Sequence, residues 1–563
     1  MFSNIVVRLA PGVYHLRSTL RLGPADSGRH GFDVRWEAAP GAKVTWSGGV
    51  RVRGWRLADA KRNIWVAAAP AGASPVLQMY VNGVRAVRDR SAPCPASQCK
   101  YTPRGIAGAP AAFGRIAHPD DMELVTHAHW RDFHCPVTGV VAKGATSELL
   151  LAEPCWRNAN LQTQTGWQVA SPSGADYAGV DYVENAYTLL GTPGQFYDDP
   201  RTARLYYVPR RGEGMRTARV IVPVVQTLLS VMGRVRYGDA PVRNVVFSGI
   251  TFAYAAWRAP ASADGYVGGQ AGWTITGEHA GVLPGDGAYL TPPVAAVEVA
   301  GGVHVDFLHD TFEHLGAAGV ALRPGTRDSA IRFSRVTDVS GDGIVVGGVD
   351  AHPAEPWMKA AGDAVTCNRI EHVAVQYRGG VGIWGGYQDG LVVAHNTIEH
   401  VPYTGISVGW GWNFVGNANV ARDVVIAHNR IGAFMQALRD GGAIYVQGQS
   451  WNSRIEDNYI DYVQTHHGNA IYLDERSRYW VVSHNVVWGI PRKGHNWLSA
   501  WAPYSAYNVA RGNWTTGVQT HVGSTLDFFS PRYNHVGLTV MPAAARHVVA
   551  DAGSAACGQE RGG

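Results

Sequence analysis

Two aspartates, in neighbouring copies of a related strand motif, are the residues best suited to carry chemistry. Asp440 begins the motif in LRDGGAIYVQGQ, and Asp474 ends it in HGNAIYLDE. One carboxyl group of such a pair can protonate a leaving oxygen while the other attacks carbon or activates water, as cleavage of a glycosidic bond requires. The sequence therefore predicts Asp440 and Asp474 as catalytic residues, without indicating which is the acid.

Strand alternation predicts what surrounds the two aspartates. If the Ile of each motif points inward, every second side chain points outward, and Asp474 lies level with Gln447. Asp440 then lies level with His467 of the next coil. Aromatic rings nearby would stack on sugar faces, and burial beside them would raise the pKa of the acid. The residues predicted to bind a substrate are Trp384, Tyr387, Trp410, Trp412, Tyr445, Gln447, Trp451, His466, His467, Tyr472, Glu475 and Arg476.

The same residues also admit structural roles. An Asp before Gly-Gly is often only a turn residue, which applies to Asp440, and the tryptophans could instead pack loops. Asp474 is harder to explain as a solvated residue, because a carboxylate in mid-strand lowers β-propensity. His395, His428 and His484 each precede a recurring Asn, which predicts a structural role, since metal ligands must converge on one point. No metal site and no cofactor are predicted.

Six asparagines recur at nearly constant spacing in the second half of the chain. Successive gaps are 28, 33, 29, 27 and 28 residues. The asparagines are Asn368, Asn396, Asn429, Asn458, Asn485 and Asn513. Repeats of this length are stacked units, and alternating β-branched residues make each unit a coil of short strands. We predict an all-β fold, a right-handed parallel β-helix, with an Asn ladder that bonds neighbouring backbone and tolerates left-handed φ.

The repeat also predicts how the chain is divided. Residues 255–300 and 349–366 interrupt it and are predicted as long loops on the binding face. A hairpin is predicted at QFYDDPRTARLYYVP, with DDPRT as its turn. The predicted parts are N-terminal β-helix coils at 1–85, an inserted β-rich, sandwich-like domain at 86–240, the main β-helix at 241–548, and a flexible tail at 549–563.

Composition excludes several classes of protein. Glycine accounts for 68 of 563 residues, about 12% against roughly 7% on average, which favours turns over helices. The net charge is only +5 and no run of basic residues occurs, so no nucleic-acid partner is predicted. No stretch of 18 apolar residues occurs, so no membrane span is predicted.

The cysteines and the first residues bear on cellular location. Cys94 and Cys99 lie in a Pro-rich loop, and Cys135 and Cys155 are twenty residues apart. Two disulfides there would suit an exported protein; six unpaired thiols are the alternative, because spacing does not fix connectivity. The first residues lack a signal pattern and begin inside a predicted strand, so we expect a missing upstream segment. We expect a secreted or periplasmic protein.

Several motifs together resemble glycoside hydrolase family 141. They are PGVYHL, WSGGVRVRGW and MYVNGVRAVRDR near the start, QFYDDPRTARLYYVP and VRNVVFSGITF in the middle, and RDGGAIYVQGQ and NAIYLDERS later. The chain is also similar, more loosely, to the β-helical xylosidases of family 120. The resemblance runs over nearly the whole chain, and its most specific part is the pair DGGAIY and YLDE.

This resemblance implies a fold, an activity and a site. The implied architecture is a β-helix with an inserted β-sandwich, and the implied catalytic carboxylates are Asp440 and Asp474. The implied substrates are plant cell-wall polysaccharides, cleaved by α-L-fucosidase- or xylanase-like activity. Arg476 stands where Gly is common in the family, and would either narrow the pocket or bind an acidic sugar.

Three functions remain open from the sequence. The first is a glycoside hydrolase with a carbohydrate substrate. The second is a polysaccharide lyase or epimerase acting on uronic acids, which needs cations, often Ca²⁺ in a cluster of acidic oxygens. The sequence shows no tight Asp/Glu cluster on adjacent coils, but Asp389, Arg439 and Arg476 leave this function open. The third is a glycan-binding module without catalysis, since one fold can host several functions. The sequence indicates neither the sugar and linkage nor the oligomeric state.

Overall fold

A computed structural model describes most residues of the chain. The described residues are 3–163, 170–234, 240–279, 282–283, 290–349, 359–410, 421–463, 465, 468–491, 493–501, 505–522, 524, 526–529 and 533–558.

Three long sheets of parallel strands form a right-handed parallel β-helix, as predicted. The first sheet contains Ile5–Leu9, Val34–Ala38, Val242–Ser248, Gly302–Leu308, Ala330–Arg332, Ala360–Ala361, Ala364–Thr366, Gln388–Asp389, Val392–Ala394, Ala421–Arg422, Val425–Ala427, Gln449–Glu456, Arg478–Ser483 and Val509–Arg511. The second contains Gly12–His15, Val44–Ser47, Ile250–Ala255, Thr311–Leu315, Arg335–Val339, Arg369–Glu371, Thr397–Glu399, Arg430–Gly432, Tyr459–Asp461, Val486–Trp488 and Trp514–Thr515. The third contains Leu20–Leu22, Leu229–Met232, Ala295–Ala300, Ala318–Leu322, Ile344–Val346, Ile383–Gly385, Ile406–Gly409, Gly442–Gln447, Asn469–Leu473, Leu498–Ala500 and Thr520–His521.

Aliphatic side chains from every coil fill the interior of the helix. In the third sheet Ile383, Ile406, Ile444 and Ile471 stand in register, and all four are fully buried. Each buried aliphatic side chain of this size stabilises the fold by about 1.5–3 kcal/mol. The inward row predicted for the strand motifs is therefore confirmed, and it fixes which side chains of the third sheet face outward.

The predicted Asn ladder is present between the first and second sheets. Asn396 Nδ2 donates to Asn429 Oδ1 at 3.0 Å, and Asn429 Nδ2 donates to Asn458 Oδ1 at 3.0 Å. Each ladder Asn also binds neighbouring backbone; Asn429 Nδ2, for example, donates to the Val393 carbonyl at 2.8 Å. The ladder continues to Asn534. These bonds satisfy buried amide groups that would otherwise lack partners.

Left-handed backbone occurs beside the Asn and not at it, which corrects one detail of the prediction. The residue before each ladder Asn has positive φ: His395 has φ 54°, His428 φ 53° and His484 φ 55°. His395 and His428 stack in parallel, with ring centroids 4.7 Å apart. The recurring histidines are thus corner residues that turn the chain into the second sheet, while the Asn side chains remain buried.

An inserted domain interrupts the β-helix with two mainly antiparallel sheets. Its eight-stranded sheet contains Gly49–Val52, Arg56–Asp59, Ile64–Ala68, Met79–Val81, Val84–Arg88, Gln195–Asp199, Arg204–Tyr207 and Val220–Pro223. Its ten-stranded sheet contains Cys94–Pro95, Lys100–Thr102, Gly105–Pro110, Glu123–Ala128, Arg131–Lys143, Thr146–Leu151, Tyr177–Glu184, Tyr266–Gln270, Trp273–Ile275 and Leu290–Thr291. A further pair joins Gln162–Thr163 to Val282–Leu283. The predicted hairpin is confirmed by Gln195–Asp199 and Arg204–Tyr207.

The predicted start of the insertion at residue 86 is too late. Strand Gly49–Val52 pairs antiparallel with Val220–Pro223, so the chain leaves the β-helix after Val44–Ser47. It returns at Leu229–Met232, which pairs in parallel with Leu20–Leu22. Alternating side chains are common to coil strands and antiparallel strands, so the sequence pattern could not separate them.

The segment predicted as a long loop at 255–300 contains strands. Tyr266–Gln270 pairs with Arg131–Lys143 of the inserted domain, and Ala295–Ala300 belongs to the third sheet. In the other predicted loop, 349–366, residues 350–358 lie outside the described residues, and Ala364–Thr366 is a strand of the first sheet. Short strands separated by glycines carry too weak an alternation to be recognised.

Ion pairs join the inserted domain to the β-helix. Arg378 of the β-helix binds Asp132 and Asp181 of the insertion, each at 2.6 Å. Arg85 of the insertion binds Asp338 at 2.6 Å. The buried guanidinium of Arg378 holds the pKa of the Asp132 carboxyl well below its usual range, although burial alone would raise it. The insertion is therefore fixed against the coils by charged contacts that are largely shielded from water.

The C-terminal residues are docked, so the predicted flexible tail from 549 is wrong for the described residues to 558. A helix spans Ala543–Asp551, and Cys557 forms a disulfide with Cys367. The Gly553 amide donates to the His428 carbonyl at 2.8 Å. The composition of Ala, Gly and Ser had suggested a frayed tail. The disulfide that holds this segment could not be predicted, because sequence alone does not show the partner of a cysteine.

The remaining helices are short, and all six cysteines are paired. In the part of the chain that the structure describes, the other α-helix is Cys155–Ala159, and the 3₁₀ helices are Pro24–Asp26, Ala111–Arg115, Pro119–Asp121, Ala259–Ala261 and Ser554–Cys557. The structure joins Cys94 to Cys99 and Cys135 to Cys155, so the disulfide interpretation holds over that of unpaired thiols. Among the described residues, no helix has the length and apolar character needed to cross a membrane.

Candidate active site

Strand register brings the predicted site residues onto the outer face of the third sheet. Tyr445 pairs with Tyr472 and Val446 with Leu473, which places Asp474 level with Gln447 as predicted. The Asp474 amide donates to the Val446 carbonyl at 2.9 Å and holds the carboxylate at the end of its strand. The register follows from the inward isoleucines, because a slip of one residue would turn them outward.

A glycine under Gln447 lets the coils approach closely. Gly409 pairs with Gln447 and has φ 89°, a left-handed conformation that favours glycine. A Cβ at this position would lie 2.0 Å from the Gln447 carbonyl oxygen. The coil below the carboxylates therefore needs a residue without a side chain at this point.

Asp474 is held by a network of hydrogen-bond donors. The Tyr445 hydroxyl donates to its Oδ2, and Gln447 Nε2 lies 3.4 Å from the same oxygen. Gln447 and Gln270 in turn donate to the Tyr445 hydroxyl at 2.7 and 2.8 Å. Burial raises the pKa of Asp474, while the hydrogen bonds oppose the rise because they favour the charged form. The network orients this carboxylate and offsets part of the cost of ionising it, while burial keeps its pKa above the ordinary value.

Asp440 has a different environment. It has φ 59°, as expected of a residue in a turn, and its carbonyl accepts the Tyr403 hydroxyl at 2.9 Å. Its side chain keeps 38% of its full exposure and can reach a bound ligand. Burial, and then the negative charge of Asp474, raise the pKa of Asp440 to about 7. This carboxyl group can therefore stay protonated close to neutral pH.

The two carboxylates are brought together around Tyr472. Its hydroxyl faces both, and lowers the pKa of each relative to burial alone. The Tyr472 ring meets Tyr445 edge-to-face, with centroids 5.4 Å apart. Glu475 adds a third carboxyl group, whose pKa is raised to about 7 by burial and by Asp474. The structure thus assembles Asp440, Asp474 and Glu475 around two buried tyrosines.

The inserted domain contributes residues that sequence reasoning missed. His129 lies in the turn between Glu123–Ala128 and Arg131–Lys143, with Nε2 3.1 Å from an oxygen of Asp176. Its Nδ1 lies 4.0 Å from an Asp440 oxygen. Its carbonyl accepts the Arg439 amide at 2.9 Å, which pins the turn beside Asp440. No motif marks His129 or Asp176, because their role depends on how the insertion docks.

Residues 266–275 form the other missed part of the site. Gln270 is buried and donates to the Tyr445 hydroxyl, so it belongs to the same network as Asp474. Trp273 packs against Trp384 with ring centroids 5.0 Å apart. Both residues lie in the stretch 255–300 that the sequence predicted as a loop.

Three of the predicted sugar-stacking rings are buried. Trp384 is 1% exposed, Trp410 2% and Tyr387 6%. The Tyr387 hydroxyl donates to the Trp410 carbonyl at 2.6 Å. The prediction of exposed platforms is therefore wrong for these residues, and Trp384 is covered by Trp273 of the 266–275 segment.

Trp451 is exposed but belongs to a different surface. It lies in the first sheet, and its ring stacks on Tyr479 at 3.7 Å, with Tyr507 stacked next at 5.5 Å. Arg476 follows Glu475 with φ 62°, close enough to lower the pKa of that carboxyl. The remaining predicted residues, Trp412, His466 and His467, lie outside the described residues.

Potential metal-binding groups exist elsewhere in the described part of the chain. His395 and His428 come within reach of Asp551, which the C-terminal helix delivers. Glu123, His134 and Glu184 form a second group, but both glutamates bind Arg88, so this is an ion-pair network. Neither group includes Asp440 or Asp474.

Comparison with known proteins identifies the class. A family model described as the GH141 insertion domain matches residues 62–210. A solved glycoside hydrolase is 25% identical, with a TM-score of 0.77 over 97% of this chain and 92% of that one. XylC in complex with xylose is 10% identical, with a TM-score of 0.45 over 94% of this chain and 82% of that one. No curated protein sequence matches the chain.

The two matches cover both the inserted domain and the β-helix. The match at 62–210 falls within the inserted domain, and the structural match spans nearly the full length of both chains. The protein is a β-helical enzyme of the glycoside hydrolase class. Its inserted domain is similar to the insertion domain of glycoside hydrolase family 141, the family that the sequence motifs resemble.

Proposed function

We propose that the protein hydrolyses glycosidic bonds in plant-type cell-wall polysaccharides or their oligosaccharides, with Asp440 and Asp474 as the two carboxylates. The observation that carries the proposal is their arrangement around Tyr472, where one carboxyl group has a pKa of about 7 and the other is held by hydrogen-bond donors. Two carboxyl groups with different environments are what this reaction needs.

The environments support one assignment of roles. Asp440 carries the raised pKa and is partly exposed, so it suits the acid that protonates the leaving oxygen. Asp474 accepts the Tyr445 hydroxyl and lies beside the Gln447 amide, so it suits the ionised partner that attacks carbon or activates water. His129 lies near Asp440 and would hold its carboxyl group toward the substrate.

The substrate proposal rests on the resemblance to family 141. Its implied activities are α-L-fucosidase-like and xylanase- or xylosidase-like, so fucosides and xylosides are the first substrates to try. A secreted or periplasmic location is proposed as well. Three disulfides support it, because such bonds form and persist in oxidising compartments.

The test is product release from plant polysaccharides and aryl glycosides by wild type, Asp440→Asn and Asp474→Asn. Both variants should lose at least about three orders of magnitude in kcat/KM, as expected when a catalytic carboxyl group is removed. Asp457→Asn is the matched control, since Asp457 occupies a left-handed corner position that Asn accepts. Cleavage that survives both substitutions would refute the site, and an unsaturated sugar product would indicate a lyase.

A further inference from the structure

A groove of about 540 Å³ opens on the inserted domain. Three tyrosines, Tyr187, Tyr197 and Tyr206, form its aromatic wall, and we refer to it as the tyrosine groove. Its lining also includes Arg56 and Arg204. None of its lining residues surrounds Asp440 or Asp474, so this groove is separate from the carboxylate pair.

The eight-stranded sheet creates the groove through its alternation. Tyr206 pairs with Tyr197 on one side and with Val66 on the other, which places these side chains in one row across the sheet. Val66 pairs in turn with Arg56, which extends the row. Tyr207, one residue on, points to the opposite face and is fully buried in the core of the insertion. The row is therefore the outer face of a sheet whose inner face is filled.

The tyrosines offer both apolar and polar contacts. Tyr197 is buried, and its hydroxyl donates to Asp121 at 3.0 Å. Tyr187 keeps 36% of its exposure and meets Tyr206 at 5.1 Å with planes 75° apart, so the two rings form a corner. Within the described ranges, neither the Tyr187 nor the Tyr206 hydroxyl has a hydrogen-bond partner. Such rings suit the C–H faces of sugars, and their hydroxyls suit sugar hydroxyls.

The charge of the groove favours an anionic ligand. The Arg56 and Arg204 side chains are exposed and make no ion pair or hydrogen bond with any residue that the structure describes. Arg204 stands opposite Asp199, but the Asp199 carboxylate is already bound by the Thr202 hydroxyl at 2.6 Å and by the Arg201 amide at 3.1 Å. Guanidinium groups bind carboxylates through paired hydrogen bonds. These two arginines, beside the exposed Tyr187 and the half-buried Tyr206, match the chemistry of a sugar acid.

We propose that the tyrosine groove is a second, non-catalytic carbohydrate-binding site that takes acidic oligosaccharides, with the sugar carboxylates on Arg56 and Arg204 and the sugar faces on Tyr187 and Tyr206. This inference rests on the proposed function in one respect, that the substrate is a cell-wall polysaccharide. The groove would hold an acidic stretch of the polymer while the carboxylate pair cleaves another part of it.

The experiment measures binding without catalysis. The full chain carrying Asp474→Asn is titrated by calorimetry with a hexamer of galacturonic acid, and separately with a neutral hexamer of xylose. Arg204→Gln and Tyr206→Ala are then added one at a time. Arg53→Gln is the matched control, because Arg53 is exposed on the same domain outside the groove. Arg204 is exposed, so its substitution tests the site without disturbing the core.

The expected result is that the Kd for the acidic hexamer rises about tenfold or more with Arg204→Gln and with Tyr206→Ala, and stays unchanged with Arg53→Gln. The neutral hexamer should bind more weakly than the acidic one. Equal affinity in all variants would overturn the proposal, and so would equal binding of both hexamers to the groove. If wild type cleaves no polysaccharide but the groove variants still lose binding, the proposed function fails and the groove stands.

Discussion

Removing the Tyr445 hydroxyl tests how Asp474 is kept ionised. Tyr445→Phe deletes the donor to Asp474 and leaves the Gln447 and Gln270 amides without their shared acceptor. A hydrogen bond to a charged group contributes about 1.5–3 kcal/mol. If that energy stabilises the reactive carboxylate, kcat falls by about 10- to 150-fold, since about 1.4 kcal/mol corresponds to tenfold.

The pH profile separates this role from a structural one. Loss of the donor raises the pKa of Asp474, so the acid limb of kcat/KM should move to higher pH. The matched control is Tyr207→Phe, which removes a hydroxyl that donates to Glu213 at 2.6 Å in the inserted domain. We expect the control to keep both kcat and the pH profile. A Tyr445→Phe enzyme with unchanged kcat and an unmoved acid limb would refute the reasoning.

Three further predictions concern stability. Asn429→Ala removes the acceptor shared by the backbone and side-chain amides of Asn396, and the donor to the Val393 carbonyl. Urea unfolding should therefore show a loss of at least about 3 kcal/mol; a loss below about 1 kcal/mol would contradict the ladder's role. Cys557→Ser opens a loop of 190 residues and should cost roughly 2–5 kcal/mol, with earlier proteolysis of the C-terminal helix; an unchanged unfolding midpoint would count against it. The pKa of Asp440 is raised to about 7 in the folded state, so the folded protein loses stability as the pH rises from the ordinary pKa of an Asp to about 7. Asp440→Asn should therefore raise Tm more at about pH 8 than at about pH 4. An equal rise in Tm at both pH values would contradict this prediction.

The β-helix could be predicted because its pattern is local and repeated. The spacing of Asn368 to Asn513 and the inward isoleucines are set within each coil, and both appear in the structure as expected. The register of Asp474 with Gln447 followed from the same alternation. Asp440 was harder, since a turn residue before two glycines has no periodic signal of its own.

The contribution of the inserted domain could not be predicted, because it depends on contacts between distant parts of the chain. His129 reaches Asp440 only because Arg378 and Arg85 fix the insertion against the coils. Gln270 reaches Tyr445 only because its strand pairs with the insertion. No spacing in the sequence relates residues that lie 175 positions apart.

The buried rings illustrate a second limit. The outward direction of Trp384 was predicted correctly from the register, but outward from the coil is not exposed to solvent when another segment covers the sheet. The docking of the C-terminal helix could not be predicted for the same reason, since it depends on a disulfide between Cys557 and Cys367, which lie 190 residues apart. Alternation predicts the face of a strand, and tertiary packing decides what lies on it.

The most direct test of the central claim uses a polysaccharide that the wild-type enzyme cleaves. It is digested in ¹⁸O-labelled water by wild type, Asp440→Asn and Asp474→Asn. If Asp440 and Asp474 drive hydrolysis, wild type should produce saturated sugars with ¹⁸O at the new reducing end, and neither variant should produce them at a comparable rate. Labelled product formed equally by the variants would contradict the assignment of the carboxylates. Unlabelled, unsaturated product from wild type would contradict hydrolysis itself.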